Sequence, residues 1–567
     1  MQVRKDLLLF VLYGVGLYSL GVWALKAMGI QLPGIDDAYI FFVYARNFAE
    51  GHGFVYNVGG ERVEGFSSFL WSLVLSGSWK MLGEFGWGMM AICVGICSAY
   101  LVLGVRLFQH LVNLQGDKLG TSAESWNWIA AVWVGVWAMG SPGFVIWSCV
   151  TLMENCLWEL LLAGCVLWVL ILVPKRIVSW KVYVGLGALM GALTWCRPEG
   201  IYWCCLLLLG LGLGRFCCGR KGKDVIKEVL ITGILCGALF GALVAFRLSY
   251  FGYPFPNTYY AKVSPDRIFN FIEGVKYIIR FGIWHWGVPF CCIVVLLGFL
   301  NGLKMIWERF TKGSVKDAGE VAMGVLCAWI TGGFIVAVLV GGDHFDFFRI
   351  FQVFWVLLPL PLFALLLKQY QKCEGLKQGG ILIAGILLGL ACTEPWFKLS
   401  SKSSITSEFR IVEQDMKVGE TLNEWFPEDQ RPSIGVLAAG GIAFAYDGVV
   451  WDLMGLNFVA MAHSEGDKKG PKNHAAFNKD VFWQTTPEIV MPFLSTGVEQ
   501  LIEGRKKQLE KTIETDPFKG LRNEERFLRE YALGVLDAGK GDLIGGWFHR
   551  EYLTQLQGMQ FTEAVIE

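Results

Sequence analysis

The 567-residue chain sets 49 Lys and Arg against 49 Asp and Glu, so its formal net charge is zero and no basic surface for nucleic acid is indicated. It is 54% hydrophobic and only 17% charged, with a mean hydropathy of +0.47. Soluble domains carry about 25% charged residues, so the composition excludes an ordinary soluble fold and points to a polytopic α-helical protein of the lipid bilayer.

Taken in order, the chain starts with Arg4 and Lys5 and an apolar run over 7–29. No small-residue cleavage site follows clearly, so the run reads as a retained membrane helix. The turn Leu32-Pro33-Gly34 then leads into Asp36-Asp37. Paired carboxylates at a membrane surface are costly and are candidates for function. The competing reading is structural, with one Asp capping a helix that runs to about Glu50.

Further apolar segments lie near 66–82, 88–113, 126–140, 143–173, 182–196, 200–214, 229–251, 284–303, 321–341, 350–367 and 379–395. Basic clusters at 175–181, 215–227, 304–316 and 368–377 mark the cytoplasmic side. The alternate loops then face outward: Asp36-Asp37, Arg197-Pro198-Glu199, the 252–282 loop, 343–349 and everything after about residue 396. Parity requires an odd number of crossings between Asp37 and Lys175. The short, Ser- and Gly-containing segment 66–82 is therefore expected to lie along the outer leaflet or dip into it, leaving about 11 transmembrane helices. Two domains follow: a membrane domain over 1–395 and an extracytoplasmic mixed α/β domain over 396–567. In the second, 433–441 reads as a buried strand, and 497–512 and 523–536 read as helices. The 16 cysteines show no metal-ligand spacing and suit apolar filler.

Several polar groups join the Asp pair on the outward loops. Glu154 sits in or at the end of a long apolar helix, where a carboxylate needs a cavity or an ion-pair partner. Arg197-Pro198-Glu199 breaks two helices; it is a structural turn, and Arg197 could also hold phosphate. In 251–262, two prolines set the backbone, Asn257 and Tyr260 offer groups suited to a sugar, and Lys262 offers a point charge. The same loop also reads as an aromatic anchor. Asp343 and His344 could orient a sugar or a metal, and Arg349 could grip a phosphate. The segment 445–457 reads as packing within the tail or as an acceptor-site wall.

As a set these motifs resemble the GT-C glycosyltransferases, in particular the branch with the mycobacterial terminal arabinofuranosyltransferases. The carriers are Asp36-Asp37-Ala38-Tyr39-Ile40, Glu64-Gly65-Phe66-Ser67-Ser68, Arg197-Pro198-Glu199-Gly200, Pro256-Asn257-Thr258-Tyr259-Tyr260-Ala261-Lys262, Gly342-Asp343 to Arg349, and Asp452-Leu453-Met454-Gly455-Leu456-Asn457. Where that family has a small-Gly-Leu-Glu turn, this chain reads Thr151-Leu152-Met153-Glu154. The resemblance implies an inverting enzyme of the bacterial inner membrane, with its active site and tail facing the periplasm or exterior. It would move a sugar, arabinofuranose by this likeness, from a polyprenyl-phosphate donor to a glycan, glycolipid or protein acceptor. Asp36 or Asp37 would be the base, with a weak preference for Asp36. Arg197, Lys262 and Arg349 would bind the donor phosphate, and Glu154, Asn257, Tyr260, Asp343 and His344 the substrate. Some relatives use a divalent metal, whose ligands the sequence does not place. The alternatives are a transporter or flippase of lipid-linked sugars, which predicts charge midway along helices and inverted repeats, and a glycan-binding scaffold.

Overall fold

The computed structural model describes residues 2–114, 123–262, 267–343, 345–370, 372–391, 396–465, 476–509 and 516–565, the side chains of 123–127 excepted. Among them, eight helices are long and apolar enough to cross a membrane, and a bent pair brings the number to nine. They include Gln2–Met28, Trp87–Leu114, Asn155–Leu172, Gly200–Cys217, Gly222–Tyr250, Val288–Lys312 and Ala318–Leu339. Two shorter apolar helices are Trp180–Cys196 and Leu360–Tyr370. The chain is thus a multi-pass helical protein with a C-terminal mixed sheet. The helix Phe69–Leu82 has 14 residues, about 21 Å at the α-helical rise, short of the ~30 Å hydrocarbon layer.

The chain divides into two compact units, and neither follows chain order. The first comprises Met1–Pro33, Gly86–Leu243 and Asp266–Ile405; the second comprises Gly34–Phe85, Val244–Pro265 and Thr406–Glu567.

The first unit holds most of the spanning helices. Buried Arg215 donates to Glu228 through Nε (2.5 Å) and Nη2 (2.9 Å), and Arg220 donates to the same carboxylate at 3.0 Å. The apolar stretch 143–173, expected as one segment, is broken. Trp128–Met139 and Pro142–Val150 meet at 81°, a π-helical turn covers Ile146–Val150, and the next helix begins at Asn155. The break sits at Leu152, whose φ of +59° lies in the left-handed region. A leucine there is strained where a glycine would be at ease, so the turn persists without the glycine of the resembling family.

The second unit is built on a six-stranded sheet: β1 (Ile434–Val436), β2 (Val450–Asp452), β3 (Ile489–Leu494), β4 (Tyr531–Asp537), β5 (Leu543–His549) and β6 (Gln560–Glu563). Its order is β2-β1-β3-β5-β4-β6. β1 is parallel to β2 and β3, and the other pairings are antiparallel. Phe482, Phe518, Leu521, Phe527 and Tyr531 pack in its core. The expected helix over 523–536 is corrected: only Glu525–Glu530 is helical, and the run then becomes β4. Tyr531–Leu536 is buried on both faces, so its apolar run lacks the alternation that marks a strand. The 252–282 loop is likewise corrected, since it contains the helices Asn257–Lys262 and Arg267–Trp284.

Candidate functional site

The segment 34–85 is tied into the second unit by a knot of buried polar groups. Glu64 and Arg247 form a two-pronged ion pair, both bonds 2.8 Å. Tyr44 donates to Asn457 Oδ1 at 3.1 Å and accepts from the Gly65 amide at 3.2 Å. A Cβ at Gly65 would stand 1.8 Å from Asn457 Oδ1, so only glycine fits. Asn257 Nδ2 donates to the carbonyls of Gly455 (2.8 Å) and Leu456 (3.0 Å). Asp452 accepts from the Met454 and Asn457 amides and from Asn457 Nδ2. Motifs far apart in sequence therefore meet here, and the side-chain amide of Asn257 serves that junction.

The helix Asp36–Ala49 opens with both aspartates in its first turn, and its N-cap is Ile35 with no side-chain cap bond. The N-cap reading of the pair is corrected accordingly. Asp36 instead turns into a seat of backbone amides. Ala439 N donates to Oδ2 at 3.0 Å, Gly440 N to Oδ1 and Oδ2 at 3.0 and 3.1 Å, and Gly441 N to Oδ1 at 2.8 Å. A Cβ on Gly440 would lie 1.9 Å from the Asp36 carbonyl oxygen, so the approach requires glycine. Burial pushes the Asp36 carboxyl up to about 7, with the Gly441 amide pulling it down and the Asp37 charge adding to the rise.

Asp37 stands differently. Its side chain is 24% exposed and its Oδ2 lies 3.7 Å from Lys262 Nζ, itself 29% exposed. Lys262 ends the helix Asn257–Lys262. The unit thus presents, next to one seated carboxylate, a second carboxylate reachable from solvent and loosely paired with a cation. The aspartates also sit in the first turn of a helix, where backbone amides favour negative charge.

Sequence reasoning missed Asp415, which burial and then the Asp36 charge raise to about 8. A signal existed. On the helix Ser404–Trp425, Asp415 falls on the stripe of Val412, Val418 and Leu422, all buried, and an acid on an apolar stripe stands out. The Ala439–Gly441 seat was hidden inside the run expected to be one strand, of which only Ile434–Val436 is strand.

Most of the remaining candidates lie in the first unit, largely in closed pairs. Arg197 Nη1 donates to Glu154 Oε1 at 2.5 Å, and its Nε and Nη2 each reach Glu199 at 3.2 Å. Glu154 is fully buried, and its Oε2 has no hydrogen-bond partner among the described residues. Arg349 Nε donates to Asp343 Oδ2 at 2.8 Å, and its guanidinium lies 4.6 Å from the Phe345 ring centre and 5.3 Å from that of Trp147. Tyr260, in the second unit, packs against His463 with ring centres 4.1 Å apart and planes tilted by 35°. His344 lies outside the described residues. Among the described residues no group of three or more His, Cys, Asp or Glu is placed to hold a metal ion, and both Asp36 oxygens are engaged by amides, so the divalent metal finds no assembled ligand set there.

The fold is that of the GT-C membrane glycosyltransferases. No family model matches the sequence, and no curated protein does. Among solved structures, the archaeal oligosaccharyltransferase AglB from Archaeoglobus fulgidus, in complex with an inhibitory peptide and a dolichol-phosphate, is similar over 99% of this chain and 76% of that one, at 11% identity and a TM-score of 0.52. The A. fulgidus oligosaccharyltransferase tethered with an acceptor peptide containing the NVT sequon gives 98%, 75%, 11% and 0.52. ArnT from Cupriavidus metallidurans bound to undecaprenyl phosphate is a looser likeness, with 80% of this chain and 87% of that one covered, 12% identity and a TM-score of 0.42.

Proposed function

We propose that the protein is an inverting glycosyltransferase that takes a sugar from a polyprenyl-phosphate donor, with Asp37 as the base. The observation that carries this reading is the Asp37–Lys262 pair, part exposed and 3.7 Å apart, beside an Asp36 whose oxygens are engaged by three backbone amides. The acceptor hydroxyl oxygen attacks the anomeric carbon. The bond from that carbon to the phosphate oxygen breaks, its electron pair leaves with the polyprenyl phosphate, and the hydroxyl proton passes to Asp37. A single displacement inverts the anomeric centre. Lys262, a point charge, opposes the negative charge gathering on the leaving phosphate. Asp36 is a positioning residue that fixes the start of the helix carrying Asp37.

Arg197 and Arg349 are proposed as further phosphate ligands. Each already holds a carboxylate, so binding would exchange Glu199 or Asp343 for phosphate. Glu154, Asn257, Tyr260, Asp343 and His344 are proposed substrate groups, with Asn257 also holding the Gly455 and Leu456 carbonyls. The outward-facing site is proposed from the pattern of basic loops, the domain division at 395/396 from the charged tail without an apolar span, and the bacterial inner membrane from the resemblance. Arabinofuranose is proposed as the donor sugar on the resemblance of the motifs alone. The fold shared with AglB supports the class of reaction.

The test is donor turnover by the purified full chain with polyprenyl-phosphoryl pentoses and hexoses. Transfer to an acceptor, or slow release of free sugar, supports the reading. No turnover of any donor, together with movement of a labelled lipid-linked sugar between vesicle leaflets, favours a flippase.

A further inference from the structure

Apart from the Asp pair, the second unit carries a cluster of contacting aromatic rings, of which only Tyr260 has been given a role above. Tyr253 and Tyr260 both pack against His463, each with its ring centre 4.1 Å from the imidazole and tilted to it by 32° and 35°, and their own ring centres are 5.8 Å apart. The series continues from Tyr260 edge-on to Tyr259 (5.4 Å, 87°) and from Tyr259 to a tilted Phe255 (5.1 Å, 38°). Phe255 and Tyr259 are each 46% exposed. Phe255 lies between Pro254 and Pro256, whose rings fix the backbone on either side of it. His463 closes the short helix Val459–His463, whose first amide is held by Glu61 Oε1 at 3.0 Å. The array is therefore held from two distant parts of the chain. Tyr260, inside the array, stands two residues before Lys262, the partner of Asp37, on the helix Asn257–Lys262.

A saccharide ring has one face of C–H groups and an edge of hydroxyls. Flat, rigid, amphipathic rings meet both needs at little entropic cost, the face by stacking and the edge through phenol and imidazole groups. A membrane anchor needs exposed apolar rings alone. An array that joins a histidine to three tyrosines, two of them on the helix that carries Lys262, fits a sugar better than lipid.

We propose that Phe255, Tyr259, Tyr260, His463 and Tyr253 form the acceptor subsite, a platform on which a sugar ring of a carbohydrate acceptor stacks while its hydroxyl is presented to Asp37. This rests on the reading of Asp37 and Lys262 as the transfer site. It selects a glycan or the sugar of a glycolipid over a polypeptide as acceptor.

The test uses the full chain in nanodiscs, with the double variant Phe255→Ala/Tyr259→Ala and the control Tyr259→Phe. Both altered rings are exposed, so folding should survive. The probes are arabino- and manno-oligosaccharides. The expected result is an acceptor KM raised at least about 10-fold, equivalent to ~1.4 kcal/mol, with donor KM and solvent hydrolysis of the donor unchanged and the control near wild type. Saturation-transfer NMR from protein to oligosaccharide protons reads the platform without turnover, and this signal should fall in the double variant. An unchanged acceptor KM in a protein that does transfer sugar overturns the platform and leaves the transfer reading standing. No donor turnover, with saturation transfer to sugar that is lost in the variant, keeps the platform and removes the transfer reading. An unchanged KM with altered quenching by brominated lipids makes the rings a membrane anchor and overturns the inference.

Discussion

Arg197 and Arg349 in the first unit and Asp36-Asp37 in the second solve the same problem differently. In the first unit, side chains neutralise side chains: Arg197 is shared by Glu154 and Glu199, and Arg349 is held by Asp343. In the second, a carboxylate is seated on backbone amides and needs no cation. That leaves Lys262 facing Asp37 across 3.7 Å, with both side chains part exposed. A charge held by backbone dipoles ties up no second side chain, while a charge held by another side chain engages both.

Removing one partner of each arrangement should separate them. Arg197→Ala leaves Glu154 buried without its cation, and thermal or denaturant unfolding in detergent should register a loss of about 3–5 kcal/mol. Asp36→Ala deprives the amides of Ala439, Gly440 and Gly441 of their acceptor, so a loss of roughly 2–4 kcal/mol is expected, read by protease sensitivity of the C-terminal region. If Asp36→Ala proves neutral, the amide seat is not holding that carboxylate.

A pH series sharpens the same contrast. The folded Asp36 carboxyl titrates near 7 and Asp415 near 8, against ordinary values of 3.8. Below about pH 4 both groups are protonated in folded and unfolded chains alike. Between there and the folded values the unfolded chain loses protons that the folded chain keeps, so stability should fall as pH rises through this window and level off above it. Asp36→Asn should flatten the slope by up to about one proton, or ~1.4 kcal/mol per pH unit. An identical slope in the variant would remove Asp36 as its source. The smallest stability effect belongs to Lys262→Ala. A part-exposed pair contributes about 0–1 kcal/mol, so the melting curve should barely move while transfer drops, and equal losses in both would make Lys262 structural.

Much of the fold was legible because apolar runs name their own helices, and basic clusters bracket them. The Asp pair stood out as a candidate because two adjacent acids beside an apolar run are costly to keep there without a role. What escaped depended on contacts between distant residues. The Ala439–Gly441 amides carry no side-chain signal, and Tyr531–Leu536, buried on both faces, has no period by which a strand could be told from a helix. Leu152 shows the converse: a turn expected to want glycine adopts the left-handed backbone with leucine. Asp415 was readable, as an acid on an apolar helix face, but the Asp36 charge that helps raise it lies almost four hundred positions away in the chain and is invisible to any local pattern.

The central claim is that Asp37, and not Asp36, takes the acceptor proton. Transfer rates of purified wild type, Asp37→Asn and Asp36→Asn with one accepted donor test it most directly, with folding checked in each. The account predicts a fall of about 10²–10⁴ for Asp37→Asn, the usual weight of a general base, and a smaller fall for Asp36→Asn that follows its loss of stability. Full transfer by Asp37→Asn, or abolition by Asp36→Asn alone in a folded protein, would contradict it.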